Sequence, residues 1–93
     1  MSIKVIIPAM FQYATEGAAS IEVSNCKTVG DCLKKLSTQF PQLGKMLFDE
    51  EDRLSGFLNV FVNGQRVGTG AEVFTHPVLE NDEIHPIIMI DGG

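Results

Sequence analysis

Thr28-Val29-Gly30-Asp31-Cys32-Leu33-Lys34-Lys35-Leu36-Ser37-Thr38-Gln39-Phe40-Pro41 is the stretch that decides the fold. The Thr28 hydroxyl is placed to accept from the first free N–H groups of a helix. Asp31, three residues on, can reach back to the cap, a variant of the capping box. Val29, Cys32, Leu33, Leu36 and Phe40 then fall on one stripe at helical spacing, with Lys34 and Lys35 off it. Pro41 ends this helix or restarts it as the first residue of a short second turn, where its missing N–H costs nothing. Leu43 and Leu47 carry the apolar face onward. A helix with one apolar stripe needs one layer to cover, so the rest of the chain has to supply a sheet.

Strand patterns flank the helix on both sides. Residues 3–9 alternate, with Ile3, Val5 and Ile7 on one face and Lys4, Ile6 and Pro8 on the other, the signature of a strand. Pro8 has no N–H and belongs near an edge or at the strand's end. Residues 13–17 read as a loop, and 20–23 as the returning strand with Ile21 and Val23 inward. Beyond the helix, Asp49, Glu50, Glu51 and Asp52 make an acidic solvated loop that ends at Gly56. Residues 57–62 form the next strand. Asn63-Gly64 is a strong turn signal because both residues tolerate positive φ, and 65–67 pair back briefly. Residues 68–82 read as irregular, and 83–90 as a last apolar strand. The result is a two-layer α+β fold of four to five strands in a mixed sheet on one main helix. The first and last strands are both strongly apolar, which places them side by side in the sheet centre, where they can run parallel. That is a β-grasp arrangement, with residues 1–93 as one domain and 90–93 as a flexible Gly-Gly tail.

Composition narrows the function. The chain has 93 residues, 44% hydrophobic and 20% charged, which is ordinary for a folded protein, and a net charge of −5. Without a basic stripe it does not suit nucleic acid. Residues 1–48 set five lysines against Glu16, Glu22 and Asp31; residues 49–93 set Arg53 and Arg66 against nine acids, so the negative charge lies in the second half. No apolar run approaches the ~20 residues of a membrane span. No basic, apolar and cleavage-site succession opens the chain, so a cytoplasmic protein is expected. Cys26 and Cys32 are too few and too loosely spaced for a redox or zinc motif, and Cys32, on the helix stripe, reads as a small core residue. There is no nucleophile elbow, phosphate loop or HExxH. His76 and His85 read as surface histidines, and Glu80, Asp82 and Glu83 as an acidic turn, so no metal or bound cofactor is expected. A chain this short has little spare stability for a deep active site, which favours a carrier, a binding module or a subunit over an enzyme.

What remains is Ile90-Asp91-Gly92-Gly93 after an ordered strand. Four extended residues reach ~13 Å, enough to enter another protein's cleft. Two glycines let a narrow tunnel close on the backbone. The reactive group offered is the Gly93 carboxylate. Activated by attack on the α-phosphate of ATP, it would form an acyl-adenylate, from which a sulfur nucleophile could displace AMP to leave a thiocarboxylate.

Several pieces taken in order resemble one family across essentially the whole chain. They are Ile3-Lys4-Val5, Thr28-Val29-Gly30-Asp31, Phe40-Pro41, Val62-Asn63-Gly64, Asn81-Asp82-Glu83 and the final Gly92-Gly93. The set is similar to the MoaD/ThiS group of ubiquitin-like sulfur carriers. The resemblance implies a co-substrate with no turnover of its own. Its partners would be an E1-like adenylating and sulfur-transferring enzyme, which uses ATP, and a sulfur-accepting biosynthetic enzyme. Gly93 would bear the sulfur and Gly92 complete the diglycine. The extra length at residues 44–57 looks most similar to carriers serving cysteine synthesis. Asp91, where a small residue is common, and the run Ile87-Ile88-Met89-Ile90, where prolines are common, depart from the pattern and bear on the choice of partner. A molybdopterin synthase small subunit, a protein modifier conjugated through Gly93 and a plain interaction module are the alternatives.

The alternation also specifies a surface. With Ile3, Val5 and Ile7 against the helix, Ile6 and Pro8 point outward. With Ile84, Pro86 and Ile88 inward, Ile87 and Met89 point outward, and Phe57 and Phe61 share that side because Leu58, Val60 and Val62 alternate with them. An apolar set on the uncovered side of a sheet reads as a partner-docking face.

Overall fold

The computed structural model describes residues 2–68 and 71–88. Thr28 caps the main helix α1 (Val29–Gln39): its side chain accepts from the Asp31 N–H at 3.1 Å, while Asp31 accepts from the backbone N–H groups of Thr28 and Lys27. These carboxylate bonds satisfy donors that would otherwise be orphaned at the helix start. Val29, Cys32, Leu33 and Leu36 are fully buried, each apolar side chain of this size contributing about 1.5–3 kcal/mol of burial. Phe40, extended ahead of a proline, breaks the helix. Pro41 then opens α2 (Pro41–Leu47), which buries Leu43 and Leu47.

Five strands lie beneath the helices in the order β2-β1-β5-β3-β4. They are β1 (Ser2–Ile6), β2 (Ser20–Ser24), β3 (Leu58–Val62), β4 (Gln65–Arg66) and β5 (Glu83–Ile88). β1 and β5 are central neighbours and run parallel, with Val5 opposite Ile84; the other pairings are antiparallel. The expected faces hold. Ile3, Val5, Val23, Leu58, Val60, Val62, Ile84 and Pro86 turn inward and are buried, and Ile21 and Ile88 pack against the core at its margin.

Three expected boundaries differ. Of the segment read as a loop at 13–17, residues 13–15 belong to a 3-10 helix, Ala9–Thr15, which is capped by Pro8 and buries Phe11 and Ala14, and only Glu16 and Gly17 form a turn. β1 ends at Ile6 because Pro8 turns the chain, although the Ile7 N–H still reaches the Ala19 carbonyl at 2.8 Å. Within the stretch read as irregular lies a short helix α3 (Ala71–Phe74), which buries Val73 and sets Phe74 on the first turn of α1. A β-carbon at Gly30 would stand 2.5 Å from the Phe74 carbonyl oxygen and 2.6 Å from its ring, so glycine is what lets α3 seat there.

Candidate functional site

β5 is the strand that delivers the chain to its last residues, and a local lock fixes its start. Asn63, in the β3–β4 turn at φ 52°, donates from Nδ2 to Asp82 Oδ1 at 2.8 Å. It also accepts from the Glu83 N–H at 2.9 Å. The second Asp82 oxygen accepts from the Leu79 N–H at 2.8 Å. Asp82 is thus a turn-forming carboxylate. Among the described residues no group of three or more His, Cys, Asp or Glu side chains is arranged to hold a metal ion.

Ile90, Asp91, Gly92 and Gly93 lie outside the described residues, as does Met89. The described part of β5 ends at Ile88, and the surface around that point is described. Ile87 is 37% exposed on the side of the sheet away from the helices, directly opposite Asn59. Phe57, just ahead of β3, is 67% exposed; Phe61, Ile6 and Pro8 are half-buried. β1 is parallel to β5 and β3 antiparallel to it, so Pro8, Phe57, Asn59 and Ile87 gather toward the Ile88 end of β5, with Ile6 farther back beside His85. The opposite end of the same face is charged. Lys4 stands between Glu22 on β2 and Glu83 on β5, Arg66 opposes Phe61, and His85 Nε2 lies 3.4 Å from Glu83 Oε1. Of the outward residues expected from alternation, the structure gathers Pro8, Phe57 and Ile87 toward Ile88 and sets Ile6 and Phe61 farther back beside His85, while Met89 lies outside the described residues.

One residue of this face was missed by the sequence reading. Asn59 is only 9% exposed, and its Oδ1 is buried with no hydrogen-bond partner. The signal was there: it is the one polar side chain between Phe57 and Val62.

The remaining reactive groups are held inert. Cys26 and Cys32 are free, buried thiols. Burial pushes the Cys32 thiol far up, and its hydrogen bond with Cys26 adds to the shift, so Cys32 supplies no thiolate nucleophile. On the helix side, the acidic loop is closed by Asp49, whose Oδ1 accepts from the N–H groups of Glu51 and Arg53. The bond from the Arg53 N–H, then that from Glu51, together with the Arg53 charge, holds this carboxyl below the usual aspartate range. Lys34 bridges to Asp52 and lies 4.6 Å over the Phe48 ring. A hollow of about 660 Å³ lies between this loop and α3, walled by Leu54, Ala71 and Phe74 with Asp49, Asp52, Arg53 and Thr75 at its rim.

The family model described as the ThiS family matches residues 5–93. This chain belongs to the ThiS family. Among solved structures, the ThiS-family chain is similar to small archaeal modifier protein 1 from Methanosarcina acetivorans. The two are 26% identical over 99% of this chain and 96% of that one, with a TM-score of 0.83. It is also similar to the Amycolatopsis orientalis BexX/CysO complex, at 25% identity over 98% and 99% of the chains and a TM-score of 0.80. The likeness to Mycobacterium tuberculosis CysO, at 21% identity, 95% and 99% coverage and a TM-score of 0.77, is one of fold. No curated protein matches the chain by sequence. The fold is the ubiquitin-like β-grasp, and the protein is a small carrier or modifier of the ThiS/MoaD type. No helix among the described residues is long and apolar enough to cross a membrane.

Proposed function

We propose that this ThiS-family protein carries sulfur as a thiocarboxylate on Gly93. The carboxylate attacks the α-phosphate of ATP in an E1-like enzyme, pyrophosphate leaves, and a sulfur nucleophile then displaces AMP. The single observation that carries the reading is that the family match runs through residue 93 and so includes Gly92 and Gly93. Two features support it. The apolar residues Pro8, Phe57 and Ile87 lie toward the C-terminal end of β5, with Ile6 and Phe61 farther back on the same face beside His85, and a partner threading the tail would rest there. The buried thiols offer no competing site for sulfur. Met89, Ile90 and Asp91 would span from that face to the diglycine.

The acceptor we favour is an enzyme of cysteine synthesis. The likeness to CysO in the Amycolatopsis orientalis complex covers nearly the whole chain, including the 44–57 segment. A molybdopterin synthase role has weaker support, because the likeness to the putative molybdopterin converting factor subunit of Pyrococcus furiosus is 18% in identity and concerns fold. The likeness to an archaeal modifier protein favours a second reading, conjugation of Gly93 to lysines through the same activation.

ATP–pyrophosphate exchange with the cognate activating enzyme tests the proposal. Deleting Gly93 places the carboxylate one residue short of the phosphate and should abolish exchange. Gly92→Ala should slow it on the order of a hundredfold, as expected for ~1 Å misplacement of reacting atoms. Unaltered exchange by the deletion variant would remove the basis for a carrier. Isopeptide-linked products in cell extracts, in place of a thiocarboxylated free form, would favour the modifier.

A further inference from the structure

Asn59 is out of place as a purely structural residue. It sits on the uncovered side of the sheet, opposite Ile87, with Phe57 and Phe61 two residues away on either side. It is nine-tenths buried there, and its amide oxygen meets no donor. A buried polar atom left unpaired is a net cost to the fold, and an apolar side chain of the same shape would remove that cost. Strands β3 and β5 would accept one, since Leu58, Val60 and Val62 already alternate with Asn59 on the other face. The apolar side chains beside it are exposed, Phe57 by 67% and Ile87 by 37%. A molecule docking on this face would meet these two side chains first and would have to displace what covers the oxygen to reach it.

What would satisfy it is a donor able to enter an aromatic, apolar surface. The protein carries −5 overall, which favours a cation approaching from the partner. Of the two cationic side chains, the guanidinium of arginine is the weakly hydrated one. It stacks on aromatic rings and presents a planar set of N–H donors, so it can lie against Phe57 or Phe61 while donating to Asn59. Lysine, a strongly hydrated point charge, loses more on leaving water.

We propose that Asn59 is a recognition residue, whose amide oxygen accepts from an arginine of the activating enzyme when that enzyme docks on the apolar end of the sheet. The inference rests on the carrier reading and adds to it the chemistry by which the partner recognises this face.

Two measurements test it on the full-length chain. In the first, binding of the cognate activating enzyme is measured by calorimetry for the wild type, Asn59→Leu and Asn59→Asp, beside a thermal melt of each. Asn59→Leu should melt at or above the wild type and bind on the order of tenfold or more weakly, as for loss of a hydrogen bond to a charged group. Asn59→Asp, which keeps the acceptor and adds charge, should bind more tightly than Asn59→Leu. In the second, N-acetyl-arginine amide is titrated into isotope-labelled protein, with the matching citrulline amide as the neutral control. The Asn59 side-chain amide resonances and the backbone amides of Phe57, Phe61 and Ile87 should shift saturably with arginine and much less with citrulline. Wild-type affinity in Asn59→Leu, an equal response to both amides, or a large drop in the melting temperature of Asn59→Leu would each overturn the assignment. If deletion of Gly93 abolishes pyrophosphate exchange while Asn59→Leu binds normally, the carrier reading stands and the role of Asn59 alone is refuted.

Discussion

Asn63 joins three parts of the chain at one exposed corner, and its replacement separates what its backbone contributes from what its side chain contributes. The residue holds φ 52° in the turn between β3 and β4, a conformation that asparagine tolerates and alanine resists. Its side chain spans to Asp82 and to the Glu83 N–H, the point from which β5 starts. Asn63→Gly keeps the turn and removes both hydrogen bonds. At about 0.5–1.5 kcal/mol each, with the added freedom of the unfolded chain working in the same direction, this should lower unfolding free energy by about 1–3 kcal/mol. Asn63→Ala loses the same bonds and also pays roughly 1–2 kcal/mol for a left-handed alanine, so its loss should reach about 2–5 kcal/mol. Urea unfolding read by circular dichroism measures both, with the slope m held constant as the check that only stability changed. A further consequence concerns the start of β5. Because Asn63 pins the start of β5, Asn63→Ala should also broaden the amide resonances of Glu83 and Ile84 before those of β1. If both variants unfold within 0.5 kcal/mol of the wild type, the corner is not a lock. If glycine costs as much as alanine, the left-handed backbone contributes nothing, and that half of the reasoning fails.

Other consequences follow from the same contacts. Gly30→Ala gains about 1 kcal/mol of helix propensity, yet its methyl meets Phe74 backbone and ring at 2.5–2.7 Å; overpacking of this kind costs about 1–3 kcal/mol, so the variant should be destabilised, with α3 displaced from α1 in its amide spectrum. Ile87→Asp, on the open face, should keep its melting temperature within a few degrees and lose binding to the activating enzyme; wholesale unfolding would show that this side chain supports the core. Asp49 should titrate below an ordinary aspartate when followed by carboxyl resonances. Because its folded-state pKa is depressed, whatever it adds to stability is present above its unfolded-state pKa and is lost as pH falls through the folded one; Asp49→Asn should therefore lose that contribution at neutral pH, converge with the wild type at acid pH and so flatten the acid limb of a stability profile.

How much of this was legible in the sequence depended on whether a signal was local. The Thr28–Asp31 cap, the α1 stripe and the Pro41 restart are set by residues within a turn of one another, and all three appear as read. The parallel pairing of β1 with β5 was legible because both strands are apolar enough to belong in a sheet centre. Strand parity, once right for Val5 and Ile84, carried to Ile6 and Ile87 without further information. What escaped depends on tertiary contact. The 3-10 helix at Ala9–Thr15 is held by burial of Phe11, and its i, i+3 spacing with Ala14 is too short a pattern to stand out from a loop. Helix α3, a single turn, exists because Gly30 leaves room for Phe74, and no local pattern reports a gap on a distant helix. Asn59 was passed over because a polar residue on the outer face of a strand ordinarily meets water; only the packed sheet shows that this one does not.

The claim at the centre of this account is chemical, and it concerns one atom. Intact-mass spectrometry of the protein isolated from its own cell, without reducing or acidic steps that strip sulfur, reads that atom directly. The account predicts a population heavier than the Gly93 carboxylate form by the difference between one sulfur and one oxygen, with fragment ions placing that difference on Gly93. The heavier population should vanish on treatment with a thiol-reactive alkylating agent, which would convert it to the alkylated thioester. A single species carrying only the carboxylate, in cells actively assimilating sulfur, or a sulfur retained after Gly93 is removed, would contradict it.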